Sequence, residues 1–110
     1  MLFEEFSSAS QKERGNFEMT KLAEEQIEQG LKSLPGWVRE AETIVKTFTF
    51  EWFTPAMGFV TKVALLAERF DHHPDIDIRY KTVRLLLTSH DSGGLTERDI
   101  NLAKEIEAIQ

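Results

Sequence analysis

The sequence predicts an α+β fold, a four-stranded antiparallel sheet with three helices packed on one face. Three stretches carry apolar residues near the 3.6-residue period of a helix, and short runs between them alternate apolar and polar residues as strands do. The strand-like runs come in two pairs joined by only a few residues, so antiparallel hairpins connect them. The order is α-β-β-α-β-β-α, and 110 residues is the usual size of one domain.

Residues 1–18 stand apart. Ser7, Ser8, Ser10, Gln11, Lys12, Glu13 and Gly15 offer few apolar anchors, so a flexible N-terminal extension is expected over 1–18 and the ordered domain over 19–110. Thr20 is placed to cap the first helix, in which Leu22, Ala23, Ile27, Leu31 and Leu34 share a face until Pro35-Gly36 ends it. Trp37 to Phe50 holds two strands broken around Arg39–Glu42, with Ile44, Lys46, Phe48 and Phe50 on one face of the second. Thr54 before Pro55 signals the start of a second helix, whose stripe is Phe59, Val60, Val63, Leu66, Ala67 and Phe70; Pro74 closes that segment.

Ile76, Ile78 and Tyr80 alternate with Asp77 and Arg79 in a third strand, and Lys81-Thr82 makes a tight connection. In the fourth strand Val83, Leu85, Leu87 and Ser89 face one way; Arg84, Leu86, Thr88 and His90 face the other. After the loop Asp91-Ser92-Gly93-Gly94, Thr96 and Asp99 form a capping box for the last helix, buried through Ile100, Ala103 and Ile106.

Composition excludes several function classes. Without cysteine there is no disulfide, thiolate metal site or cysteine nucleophile. A net charge of −6 with no basic run argues against nucleic acid and anionic membranes as partners. The segment MLFEEFSSAS has neither the cationic region nor the apolar run of a secretory leader, and no apolar stretch is long enough to span a bilayer. The expected location is the cytoplasm.

All three histidines, His72, His73 and His90, lie between positions 72 and 90, two at the end of the second helix and one at the end of the last strand. Element ends on a rigid layer commonly display reactive groups. Glu68, four residues before His72, shares a helical face with it, and a carboxylate beside an imidazole suits acid–base work near neutrality. By spacing alone, His72-His73 better suits a polar helix terminus, where imidazole interacts favourably with the dipole. A metal site is disfavoured because adjacent histidines rarely aim at one ion and no H-x-x-x-H spacing is present. A hydrolase triad lacks its G-x-S-x-G elbow.

The stretch Glu68-Arg69-Phe70-Asp71-His72-His73-Pro74, followed by Tyr80, Thr88-Ser89-His90-Asp91, Gly93-Gly94-Leu95-Thr96 and Asp99, resembles the signature of the pterin-4a-carbinolamine dehydratases. The likeness continues upstream through Pro35-Gly36-Trp37 and KTFTFEWF, covering residues 20 to 109. It implies the fold read above and an enzyme that dehydrates 4a-hydroxytetrahydropterin to quinonoid dihydropterin in pterin cofactor recycling. Losing hydroxide from a carbinolamine carbon needs an acid at the oxygen and a base at the neighbouring ring N–H, and imidazole serves for either.

The resemblance implies His72 and His90 as acid and base, with His73 binding and orienting the pterin. It makes Glu68, Asp71, Trp37 and Ser92 substrate-binding or orienting residues; Ser92 stands where animal members often carry cysteine. No metal and no organic cofactor are implied, the pterin being the small-molecule substrate, and a homodimer or homotetramer is expected. Family relatives also serve as dimerisation cofactors or assembly proteins, so the alternative is a non-catalytic module on the same fold.

Overall fold

The computed structural model describes residues 20–110; the flexible extension expected over residues 1–18 lies outside them. In chain order it contains α1 (Glu24–Leu31), β1 (Val38–Glu40), β2 (Thr43–Thr49), α2 (Phe53–Phe70), β3 (Asp75–Arg79), β4 (Thr82–Leu87), a 3₁₀ turn (His90–Ser92) and α3 (Glu97–Ile109). The strands form one antiparallel sheet in the order β1-β2-β4-β3, which is the fold class the sequence predicts.

Two-residue turns close both hairpins, Ala41-Glu42 between Glu40 and Thr43 and Tyr80-Lys81 between Arg79 and Thr82. The second lies one residue earlier than the expected Lys81-Thr82, because Thr82 already pairs with both Arg79 and Thr49. Since β2 and β3 each run antiparallel to β4 between them, they are parallel to one another, and α2 is the crossover that joins them. That crossover positions the site. It leaves the sheet where Thr49 pairs with Thr82 and returns at the opposite end, where Asp75 pairs with Leu86. The residues just before Asp75 thus arrive beside the end of β4.

Two helix starts differ from the sequence reading. The first helix begins at Glu24 instead of following Thr20, because the Leu22 amide donates to the Leu95 carbonyl at 2.8 Å and holds the chain out of the helix. Ala23 is its N-cap, and the Gln26 side chain accepts from the Ala23 amide at 2.9 Å. Its regular turns end at Leu31, with Leu34 buried in the turns that follow. The second helix begins at Phe53, which places Thr54 and Pro55 inside its first turn, where proline's missing N–H costs nothing.

The core lies between the sheet and the helices. Ile44, Phe48, Val83, Leu85 and Leu87 from β2 and β4 meet Phe59, Val63 and Leu66 of α2 and Ile100, Ala103 and Ile106 of α3. Phe48 is the aromatic centre, edge-on to Trp37 with centroids 6.3 Å apart and tilted against Phe59 at 4.7 Å.

Lys46 shares the helix-facing side of β2 with Ile44 and Phe48, so its charge needs a partner there. Its Nζ donates to Glu107 Oε2 at 2.7 Å and to the Pro35 carbonyl at 2.8 Å, and Trp37 Nε1 donates to the same Glu107 oxygen at 2.9 Å. This cluster ties the C-terminal part of α3 to β2 and the loop before β1. Gly36 fits beside it at φ +86, where an added Cβ would lie 2.8 Å from Lys46 Cε.

Two stability outcomes follow. Glu107→Ala leaves a lysine and an indole N–H without their acceptor and should cost about 1–3 kcal/mol in urea denaturation. Gly36→Ala should cost about 1–2 kcal/mol or more by the same measurement, from the left-handed backbone together with the Lys46 contact.

Candidate active site

How α2 ends decides where its histidines go. Asp71 takes the left-handed conformation at φ 50 and ψ 47, its amide donates to the Glu68 carbonyl at 3.3 Å, and the His72 amide donates to the Ala67 carbonyl at 3.0 Å. This is a Schellman motif with aspartate at the position glycine usually takes. The reversal turns consecutive histidines in opposite directions. His72 points inward and is buried; His73 points back over the helix surface, where its Nε2 meets Glu68 Oε2 at 2.6 Å. The expected Glu68–His72 pairing is therefore corrected to Glu68–His73, because the helix stops at Phe70 and its periodicity does not reach His72.

His72 Nε2 lies 2.6 Å from Oδ1 of Asp99, a carboxylate with no exposed surface. Oδ2 of the same group accepts the Ser89 hydroxyl at 2.8 Å and the Thr96 amide at 2.9 Å. The Ser89 and Thr96 hydroxyls are 2.9 Å apart, and Thr96 Oγ1 accepts the Arg98 amide at 3.2 Å, completing the capping box read from the sequence. A buried carboxylate is tolerable because the His72 ring, the Ser89 hydroxyl and the Thr96 amide converge on it. One side chain thereby caps α3, holds the end of β4 through Ser89 and holds the end of α2 through His72.

His90 opens the 3₁₀ turn directly after Ser89 and is exposed. β4 itself ends at Leu87, so the strand alternation stops short of His90 and does not set its direction. Its backbone is fixed by the bridge between Ser89 and Gly94, with N–H···O distances of 3.1 and 3.3 Å, and by the Asp91–Arg98 ion pair at 2.9 Å. A Cβ at Gly94 would lie 2.5 Å from Glu42 Oε1, so that flexible side chain would have to move aside to admit one.

The segments bearing His72, His73 and His90 thus meet at one end of the sheet, joined through Asp99 and Ser89. Of the other expected site residues, Glu68 is at that end on His73, and Asp71 acts there through its backbone; its carboxylate makes no hydrogen bond among the described residues. Ser92 lies in the 3₁₀ turn, its Oγ buried and unpartnered. Trp37 packs in the core against Phe48 and bonds Glu107, eight residues along α3 from Asp99, or about 12 Å at 1.5 Å per residue. Among the described residues, no group of three or more His, Cys, Asp or Glu is arranged to hold a metal ion. A shallow groove on the open face of the sheet, lined by Thr47, Asp77, Arg79, Thr82 and Arg84, contains none of the histidines.

Asp99 and Ser89 are the site residues that the sequence reading did not single out. Asp99 was explained by its capping box, which occupies only one of its two oxygens. Ser89 carried a signal: a hydroxyl in register with Val83, Leu85 and Leu87 on a core-facing strand needs a buried partner.

The comparisons with known proteins bear on family and fold. The family model for pterin 4 alpha carbinolamine dehydratase matches residues 20–109. A protein of Acidobacterium capsulatum, provisionally named a pterin-4-alpha-carbinolamine dehydratase, is 54% identical over 91 residues, covering 83% of this chain and 99% of its own. A similarly named protein of Thermomicrobium roseum is 50% identical over 91 residues, covering 83% and 98%. The crystal structure of a transcriptional coactivator/pterin dehydratase from Brucella melitensis superposes with a TM-score of 0.79 at 37% identity, over 82% of this chain and 98% of that one. With its matched family model, its close relatives and its fold all in agreement, the chain belongs to the pterin-4-alpha-carbinolamine dehydratase family.

Proposed function

We propose that this protein dehydrates 4a-hydroxytetrahydropterin to quinonoid dihydropterin by histidine acid–base catalysis, in the recycling of a pterin cofactor. The observation that carries the reading is the buried His72–Asp99 pair, linked through Ser89 to the turn that bears His90. An imidazole held by a carboxylate at a chain reversal is costly to build for packing alone, whereas proton transfer needs that fixed orientation. His73, exposed and held by Glu68, binds and orients the pterin in this scheme, with Asp71 and Ser92 in supporting roles, while Trp37 serves the core and not the substrate. The reaction needs no metal and no organic cofactor. No described helix is long and apolar enough to cross a membrane, and the proposed setting is the cytoplasm.

A second reading has its own observation. β3 is an edge strand exposed along its length, and Ile76, Ile78 and Tyr80 on and beside it are 37%, 38% and 63% exposed. An open apolar edge of this kind is a template for pairing with another chain. We therefore propose a homodimer or homotetramer, which serves either the enzyme or a non-catalytic assembly module on the same fold.

The rate of dehydration of a 4a-hydroxytetrahydropterin separates the two. His72→Ala and His90→Ala should each lower kcat by about 10²–10⁴-fold, the range of a lost general acid or base, and dialysis against a chelator should leave the rate unchanged. Full activity in both variants removes the proposed roles; an inactive wild type favours the assembly module. In sedimentation, the wild type should run as an oligomer and Ile78→Lys should shift it towards monomer.

A further inference from the structure

We infer that Arg98 is a positioning residue for His90, acting through Asp91 to fix the turn that carries the imidazole. Its effect on rate rests on the dehydratase reading; its anchoring of the turn stands on geometry alone.

His90 differs from the other two histidines in having no side-chain partner of its own. His72 meets Asp99 and His73 meets Glu68, each at 2.6 Å, whereas the His90 ring makes no hydrogen bond among the described residues. Its place is therefore set by its backbone. Two consecutive residues of α3 hold that backbone on either side. Asp99 Oδ2 accepts the Ser89 hydroxyl at 2.8 Å, and Arg98 Nη2 donates to both Asp91 oxygens, at 2.9 and 3.3 Å. Adjacent positions on a helix point about 100° apart, so the two anchors grip the turn from different directions. The grip at Ser89 holds the base of the turn; the grip at Asp91 stops its outer part from pivoting about that base.

Stability is a weak reason for this ion pair. The Asp91 side chain is half-exposed, and an ion pair open to water adds little to folding. Arg98 Nε is also buried with no partner among the described residues, which is itself a cost. What the pair supplies is orientation. A displacement of about 1 Å in a reacting group is enough to slow a reaction about 10²-fold. No other described residue meets the Asp91 carboxylate, so the task falls to Arg98.

Arg98→Gln removes the charge, while the residue's amide still donates to Thr96 Oγ1 at the start of α3. For a 4a-hydroxytetrahydropterin, kcat should fall by about 10–10²-fold, with KM and the thermal midpoint little changed. Arg98→Lys should restore most of the rate, since a single nitrogen makes both contacts to Asp91. Asp91→Asn should match Arg98→Gln, and the double variant should lose no more than either alone. Hydrogen exchange at the Ser92, Gly93 and Gly94 amides, which close the turn, should quicken in Arg98→Gln while the α3 amides stay protected. Unchanged kcat overturns the positioning role, as does a loss that lysine fails to rescue or that follows a fall in the thermal midpoint. Additive losses in the double variant overturn action through Asp91, and unaltered exchange overturns the anchoring. An inactive wild type whose turn still loosens in Arg98→Gln overturns the dehydratase reading and the effect on rate, while upholding the anchor.

Discussion

The end of the molecule that holds the histidines is organised around one buried carboxylate. Asp99 sits in the first turn of α3 with no exposed surface; it accepts hydrogen bonds from the start of its own helix and from the end of β4, and its other oxygen meets His72 at the end of α2. An unpaired carboxylate there would carry a desolvation cost, and the contacts that offset it draw these three segments together. The convergence that satisfies the charge is also the one that brings the segments bearing His72 and His90 together.

Around that anchor, the chain path is set by two backbone devices. The crossover through α2 returns the chain to the sheet end where β4 finishes, which is a matter of topology. The Schellman reversal at Asp71 is local: it sends His72 towards Asp99 and His73 towards Glu68, giving two adjacent identical residues different surroundings. One imidazole is buried on a buried anion and the other is exposed on an exposed one. The opposite end of α3 is held by a separate cluster, Lys46, Glu107 and Trp37, so the helix is pinned at both ends and Asp99 is carried on a rigid element.

The likeness to family members spans the whole described domain, and the hydrogen-bonded residues Asp99, Ser89 and Thr96 fall within the signature stretch that the histidines made recognisable. The unpaired edge of β3 and its half-exposed isoleucines are a different kind of feature. They serve association equally well with or without catalysis, which is why the buried pair, and not the apolar edge, carries the functional reading.

The sequence by itself determined the element order, the core face of β4, the capping box at Thr96 and the clustering of histidines, because each depends on residues within a few positions of one another. Alternation along β4 marked Val83, Leu85 and Leu87 as buried, and they are. Tertiary structure decided what local spacing cannot express. His72 and Asp99 lie 27 residues apart and meet only because α2 and α3 pack on the same sheet face. Glu68 pairs with His73, against helical periodicity, because a left-handed residue ends the helix one position before His72. A period describes a chain while it continues; where it reverses, partners are chosen by the packing of distant elements, and that is where this protein keeps its histidines.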